Sequence, residues 1–332
     1  MRLCLTAILV LLAAPVAARE LVLELPLDCT LGKTCFIQQY TDSDPGLGAA
    51  DHTCGLLSYD GHKGTDFALP SLAAVTTGVD VFPAAPGIVA AVRDGLADQL
   101  QNTENPPDIT DKECGNGVVV NHGGGWETQY CHLKRRSVTV RKGQSVGIDT
   151  VIGQVGLSGA TEFPHLHLSV RRDGKVVDPF NAAGTSGCDA AAGQSLWKTP
   201  PEYRPGGLIS AGFAAAVPTF DSVRAGTAGV VTLPDTAPAL VIWGFAFGGM
   251  KGDSVILEII GPDGIPDGMI VSQAATLEKS QAQFFRAVGR RAPPEGWPKG
   301  RYQGQITLIR GGAEMESRTA DVVILSHSNN LR

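Results

Sequence analysis

Short β-like runs separated by turn residues dominate the middle of this chain, with no clear long amphipathic helix among them. GIVAAV at 87–92, GVVVNH at 117–122, ETQYCHL at 127–133, SVTV at 137–140 and HLHLSV at 165–170 follow one another in this way. GGGW separates the second run from the third and reads as a hairpin turn. This half is expected to be mostly antiparallel β. A length of 332 residues with 41 Gly and 21 Pro fits two globular domains built from strands and turns.

The stretch from Trp197 to Phe220 carries Pro200, Pro201, Pro205, Gly206, Gly207 and Pro218, and reads as a linker or domain edge. Beyond it come GVVTL, ALVIWGFAF, SVILEII, QFFRAV and YQGQITLIR, spaced as in a small immunoglobulin-like β-sandwich. The expected division is a first domain over 19–205 with its core at 55–182, a linker at 206–219 and an accessory sandwich at 220–332. The accessory part has no cysteine, and its only histidine is His327. Its Trp243, Phe245, Phe247 and Trp297 either line a binding face or fill the sandwich core. The sandwich could bind glycan, recruit a protein partner or brace the first domain. Asp94 to Asp111, with Asn105, Pro106 and Pro107, reads as an exposed inserted loop.

Arg2, an apolar run from Leu3 to Ala14 and the small residues Val16, Ala17 and Ala18 have the form of a secretory signal peptide, residues 1–18. The run is too short to span a bilayer, and no later stretch is long and uncharged enough, so the mature chain is expected to be soluble. Six cysteines follow: Cys29, Cys35, Cys54, Cys114, Cys131 and Cys188. An even count in an exported chain suggests three disulfides. Cys114 and Cys131 flank the predicted hairpin at similar distances from its turn, which pairs them. Cys29 with Cys35 and Cys54 with Cys188 then follow. The competing cysteine-rich metal site lacks any CxxC pair. Without Arg2 the chain has 26 basic and 33 acidic residues, a net charge of −7. LKRR at 133–136 and VRR at 170–172 are too short to suggest nucleic-acid binding.

Five residues carry the chemistry: His62 and Asp66 in GHKGTD, His132 in QYCHL, and His165 with His167 in HLH. They supply nitrogen and carboxylate ligands for one zinc ion, with two imidazoles left for proton transfer. No HExxH helix is present. Side chains two apart on a strand share a face, so His165, His167 and Ser169 point one way and Leu166, Leu168 and Val170 the other. Gly61 and Gly64 let the backbone bend so that His62 and Asp66 converge. The alternative is a turn in which Asp66 caps local amides. Strict alternation groups Tyr130 with His132 and sends Cys131 with Leu133 to the opposite face. His52, His122 and His327 read as surface or hydrogen-bonding residues.

Across residues 60–180, GHKGTD, GIVAAV, YCHL and GLSGATEFPHLHLSV together resemble the lysostaphin-type (beta-lytic, LytM-like) zinc endopeptidases. The resemblance implies zinc ligands His62, Asp66 and His167, one zinc per chain, and His132 with His165 as the catalytic pair. The chain as a whole is expected to be all-β: an antiparallel β-sheet peptidase domain with an active-site groove, followed by the small immunoglobulin-like sandwich read from the strand spacing. The expected function is an exported zinc endopeptidase, periplasmic or secreted from a bacterium, cutting stem peptides or cross-links of peptidoglycan. The other readings are a secreted protease acting on Gly-rich proteins and a non-catalytic cell-wall or division regulator. Loss of one of the five residues would mark the latter, and all five are present.

Overall fold

Among the described residues, ten strands form the first half of the molecule: β1 Phe36–Gln39, β2 Thr65–Ala68, β3 Asp80–Val81, β4 Gly87–Arg93, β5 Asn116–Gly123, β6 Trp126–Leu133, β7 Ser145–Val146, β8 Gly153–Gln154, β9 His165–Arg172 and β10 Lys175–Val176. The computed structural model describes residues 20–101, 104–184, 195–262 and 268–326. Eight of the strands make one antiparallel sheet in the order β1-β2-β9-β6-β5-β4-β7, with β10 on β9, and β3 pairs with β8. Period-two alternation explains β9: Leu166, Leu168 and Val170 are buried in the core, while His165, His167 and Ser169 lie on the other face. The β5–β6 hairpin closes through Gly124 and Gly125, both at positive φ (58° and 82°), which suits a two-residue type I′ turn.

Cys114–Cys131 and Cys29–Cys35 are disulfides. Cys54 is also disulfide-bonded, and Cys188, its expected partner, lies outside the described residues. So do the expected signal peptide and His327. The Cys114–Cys131 bridge closes a loop of 17 residues, and such a constraint stabilises by about 3 kcal/mol.

The expected SVTV strand does not form. Arg136 has φ 63°, which turns the chain away from the sheet. Beyond it, the Ser137 hydroxyl donates to the Lys134 carbonyl and accepts from the Gln154 amide, so local side-chain bonds replace a ladder.

Eight strands among the described residues build the second half: β11 Gly207–Ala214, β12 Thr232–Pro234, β13 Ala239–Gly249, β14 Ser254–Ile260, β15 Met269–Thr276, β16 Gln281–Arg291, β17 Gly300–Arg310 and β18 Ala313–Leu325. They form two sheets, β11-β13-β16 and β12-β18-β17-β14-β15, which enclose a core that includes Leu240, Ile242, Leu257, Tyr302, Ile306 and Val322. Two short helices complete the described elements, α1 Leu72–Thr77 and α2 Phe220–Ala225.

The expected linker at 206–219 is corrected here, because its GLISAGFA run is strand β11, paired with β13 from Gly207↔Phe247 to Ala214↔Val241. Pro and Gly flank this run, and the apolar run between them satisfies its backbone in the sheet. The aromatic residues are also placed differently from either expectation. Leu240, Ile242 and Ala246 of β13 enter the sandwich core, whereas Trp243, Phe245 and Phe247 pack with the core of the first half. Phe36 and Phe247 rings lie 4.6 Å apart across that junction. Three of the four aromatics therefore brace one half against the other, and only Trp297 belongs to the sandwich core.

Candidate metal centre

Three side chains from two adjacent strands and the loop before them converge. Asp66 and His167 are direct partners in the β2–β9 ladder. His62 precedes β2 by one turn, where Gly61 has φ 74°. Gly64 then lets the loop pass against β9, since a Cβ there would lie 2.5 Å from the Leu168 carbonyl and 2.7 Å from His167 Nε2. His62 Nε2 is 3.2 Å from Asp66 Oδ1 and 3.2 Å from His167 Nδ1, and His167 Nδ1 is 2.7 Å from Asp66 Oδ1. All three donor atoms fall within 4.8 Å of one another. A tetrahedral ion with N and O ligands at about 2.0–2.1 Å spaces them about 3.3 Å apart. Two imidazoles and a carboxylate are a donor set used by catalytic zinc, so these residues fit that ion.

The surrounding hydrogen bonds choose the ring nitrogens. His62 Nδ1 donates to the Tyr40 carbonyl at 2.7 Å, leaving the Nε2 lone pair for a cation. His167 presents Nδ1, and its Nε2 donates to Ser169 Oγ at 3.3 Å. The Ser169 hydroxyl in turn donates to the Lys63 carbonyl. Burial opposes charge on Asp66, but the imidazoles of His165 and His62 and the bond from His167 hold its carboxyl well below the usual carboxylate range.

His132 and His165 stand beside this triad, their ring centroids 4.6 Å apart. His132 Nδ1 donates to the Ser158 carbonyl at 2.8 Å, and His165 Nδ1 to the Phe163 carbonyl at 2.8 Å. Each Nε2 is left as a base, and that of His165 lies 3.6 Å from Asp66 Oδ1. Burial pushes both rings below the usual imidazole range, His132 well below with the neighbouring imidazoles adding to the effect. Burial thus favours the neutral form of both rings, with Nε2 as the unprotonated nitrogen.

His132 reaches this position by a route that alternation does not describe. Between the pairs Val118↔Tyr130 and Asn116↔Leu133, β6 holds one more residue than β5. This is a β-bulge, and His132 within it has φ 62°. Tyr130 consequently lies in the core, its hydroxyl oxygen accepting from the Ala84 amide, while His132 faces His165 and His167. The grouping of Tyr130 with His132 is thus corrected.

The centre opens into a groove of about 680 Å³. Asp66, His132, His165 and His167 line it with Tyr59 and Phe163. Tyr59 stacks on His62 at 4.4 Å, and Phe163 on His165 at 4.3 Å.

Residues 60–179 match the family model of peptidase family M23. The chain carries an M23 peptidase domain. That domain is 33% identical over 121 residues to the peptidoglycan DD-endopeptidase ShyA of Vibrio cholerae, covering 36% of this chain and 23% of that protein. It is 40% identical over 72 residues to the DD-carboxypeptidase/endopeptidase Mpg of Neisseria meningitidis, covering 21% of this chain and 15% of that protein. The chain thus spans less than a quarter of either relative's length. Among solved structures, a zinc-containing peptidase from Vibrio cholerae aligns with 44% of this chain and 39% of its own at 25% identity, with a TM-score of 0.28. The catalytic domain of the prophage-encoded M23 protein EnpA from Enterococcus faecalis aligns with 45% of this chain and 92% of its own at 21% identity, with a TM-score of 0.32.

The M23 domain brings all five sequence-selected residues to one site. Sequence reasoning missed the support of Tyr40, Ser158 and Phe163, which act through backbone carbonyls and leave no side-chain signal. Ser169 was visible on the histidine face of β9 without a role. His52 is stacked on Phe180 at 4.8 Å, away from the centre. His122 bonds Pro86 and Thr128. The loop from Asp94 packs beside the centre, with Asp98 accepting from the Arg135 and Leu157 amides, but none of its described residues lines the groove.

Proposed function

We propose that this protein is an exported zinc-dependent endopeptidase that hydrolyses peptide bonds in bacterial peptidoglycan. The observation that carries this reading is the convergence of His62 Nε2, Asp66 Oδ1 and His167 Nδ1 beside two further imidazoles, with Asp66, His132, His165 and His167 lining one groove. The similarity to ShyA and Mpg, whose names give endopeptidase activity, supports the reaction class and the substrate. Export rests on the signal-peptide pattern of residues 1–18 and on the disulfides, and points to a periplasmic or secreted protein.

His62, Asp66 and His167 would hold the ion. Zinc in such a site lowers the pKa of water to about 7 and polarises a carbonyl. His132 and His165, neutral and fixed through Nδ1, take a proton at Nε2 from the attacking water and return it to the leaving amine. Once protonated, either imidazole also stabilises negative charge on the tetrahedral carbon's oxygen. The Phe163 and Ser158 carbonyls keep both rings aimed, so little reorganisation accompanies the step.

Incubating purified peptidoglycan with the zinc-loaded protein, with and without a chelator, and identifying products by mass spectrometry tests this. Peptide-bond cleavage that stops on chelation is expected. Cleavage surviving complete zinc removal, or none at all, would overturn it.

A further inference from the structure

The M23 domain supplies only part of the groove. Its remaining wall comes from the second half of the chain, through Phe220 and Arg224 of α2, Lys279 and Ser280 of the β15–β16 connection, and Gln281, Ala282 and Gln283 at the start of β16. This wall is fixed in place. The Gln283 side-chain amide donates to Gln38 Oε1 at 2.8 Å, and Phe220 stacks on Phe285 of β16 at 5.6 Å. The connection is pinned from behind, where the Gly252 amide donates to the Leu277 carbonyl at 2.8 Å and the Leu277 amide to the Asp253 carbonyl at 2.8 Å. β16 is also an edge strand of its sheet, paired only with β13 among the described residues.

Two features of this wall have chemistry that the fold does not use. Gln281 Oε1 and, on the peptidase side, Gln39 Oε1 are buried carbonyl oxygens to which no described protein group donates. Both residues line the groove. A buried acceptor without a donor is costly, and an extended peptide carries the N–H groups that would satisfy it. Lys279 is an exposed cation at the rim, and none of the described ion pairs includes it. Arg224, the other cation of the wall, instead bonds the Glu162 carbonyl and lies over the Phe220 ring.

We propose that the C-terminal half is a working part of the substrate site, in which Gln281 accepts a backbone N–H from the bound peptide and Lys279 pairs with a carboxylate near the scissile bond. The substrate class is thus an extended peptide carrying a free acid close to the cleaved position. This rests on the endopeptidase reading and deepens it. Neither residue touches the metal ligands through a described hydrogen bond, so both act on binding and leave the chemical step to the M23 domain.

The test uses the full zinc-loaded chain and a pair of peptides cut by the wild type, one with a free carboxylate beside the scissile bond and one with that group amidated. Lys279→Gln is expected to raise KM for the acidic peptide about fivefold, as for an exposed ion pair, with kcat and the amidated peptide's KM unchanged. Gln281→Ala is expected to raise KM for both peptides about threefold to tenfold, the value of one hydrogen bond, and to leave Tm unchanged or higher because its carbonyl has no internal partner to lose. Equal effects of Lys279→Gln on the two peptides, or unchanged KM in both variants, would overturn the proposal. A fall in Tm for Gln281→Ala would assign that residue a structural role and equally overturn its part. If the wild type cleaves neither peptide, the endopeptidase reading fails by itself. Fluorescence anisotropy of the same labelled peptides then decides the subsite, with weaker binding of the acidic peptide to Lys279→Gln expected and identical binding contradicting it.

Discussion

The Ser169 hydroxyl receives the Nε2–H of His167 at 3.3 Å, two residues along the same strand. The same hydroxyl donates to the Lys63 carbonyl, so the loop carrying His62 and the strand carrying His167 share one anchor. This bond leaves His167 Nδ1 as the nitrogen that faces Asp66.

Ser169→Ala removes the acceptor that holds this ring. Outer partners of metal-bound histidines are worth roughly 10–100-fold in affinity. A competition titration against a zinc chelator should therefore show zinc held at least tenfold more weakly, with the overall fold intact by circular dichroism. Unchanged affinity would make the Ser169 bond incidental.

Gly64→Ala forces a methyl group to within 2.5 Å of the Leu168 carbonyl and 2.7 Å of His167 Nε2. The carbonyl belongs to the sheet and cannot move cheaply, so the loop must lift away from β9. The expected outcome is a loss of 1–3 kcal/mol, roughly as for overpacking, together with weaker zinc retention. Denaturant unfolding of the metal-free protein reads the first, and the chelator titration reads the second.

Asp178 supplies a pH test that does not involve the proposed metal ligands. Burial and the nearby Asp51 raise its carboxyl from 3.8 to about 6. The folded chain keeps a proton that the unfolded chain releases between those values, so stability from this group is present below 3.8 and lost as pH rises through 6. Asp178→Asn retains an acceptor for the Phe180 amide and removes the buried charge. It should stabilise the protein at pH 7.5 by on the order of 3 kcal/mol and have little effect at pH 3.5. Calorimetric Tm values of both proteins at the two pH values check this, and equal shifts at both would contradict it.

Much of the centre was legible because it depends on strand period. HLH places His165, His167 and Ser169 together on β9 for the same reason that Leu166 and Leu168 fill the core. The position of His132 was not legible, because one extra residue in β6 and a positive φ decide it, and alternation assumes neither. The ALVIWGFAF run identified a strand but not its surroundings, since β13 is buried on both faces against different partners. The Pro- and Gly-rich boundary concealed β11, whose pairing with β13 joins residues more than 25 positions apart. For the same reason the groove's second wall was invisible: Gln38 meets Ala282 and Gln283 across nearly 250 residues, and nothing local marks such a contact.

The most direct test measures zinc content and peptide hydrolysis together in the wild type, His167→Ala and His132→Ala. One zinc per chain is expected in the wild type, none in His167→Ala, and close to one in His132→Ala with hydrolysis reduced about 10²–10⁴-fold. Full hydrolysis in either variant, or zinc bound as tightly to His167→Ala as to the wild type, would contradict the account.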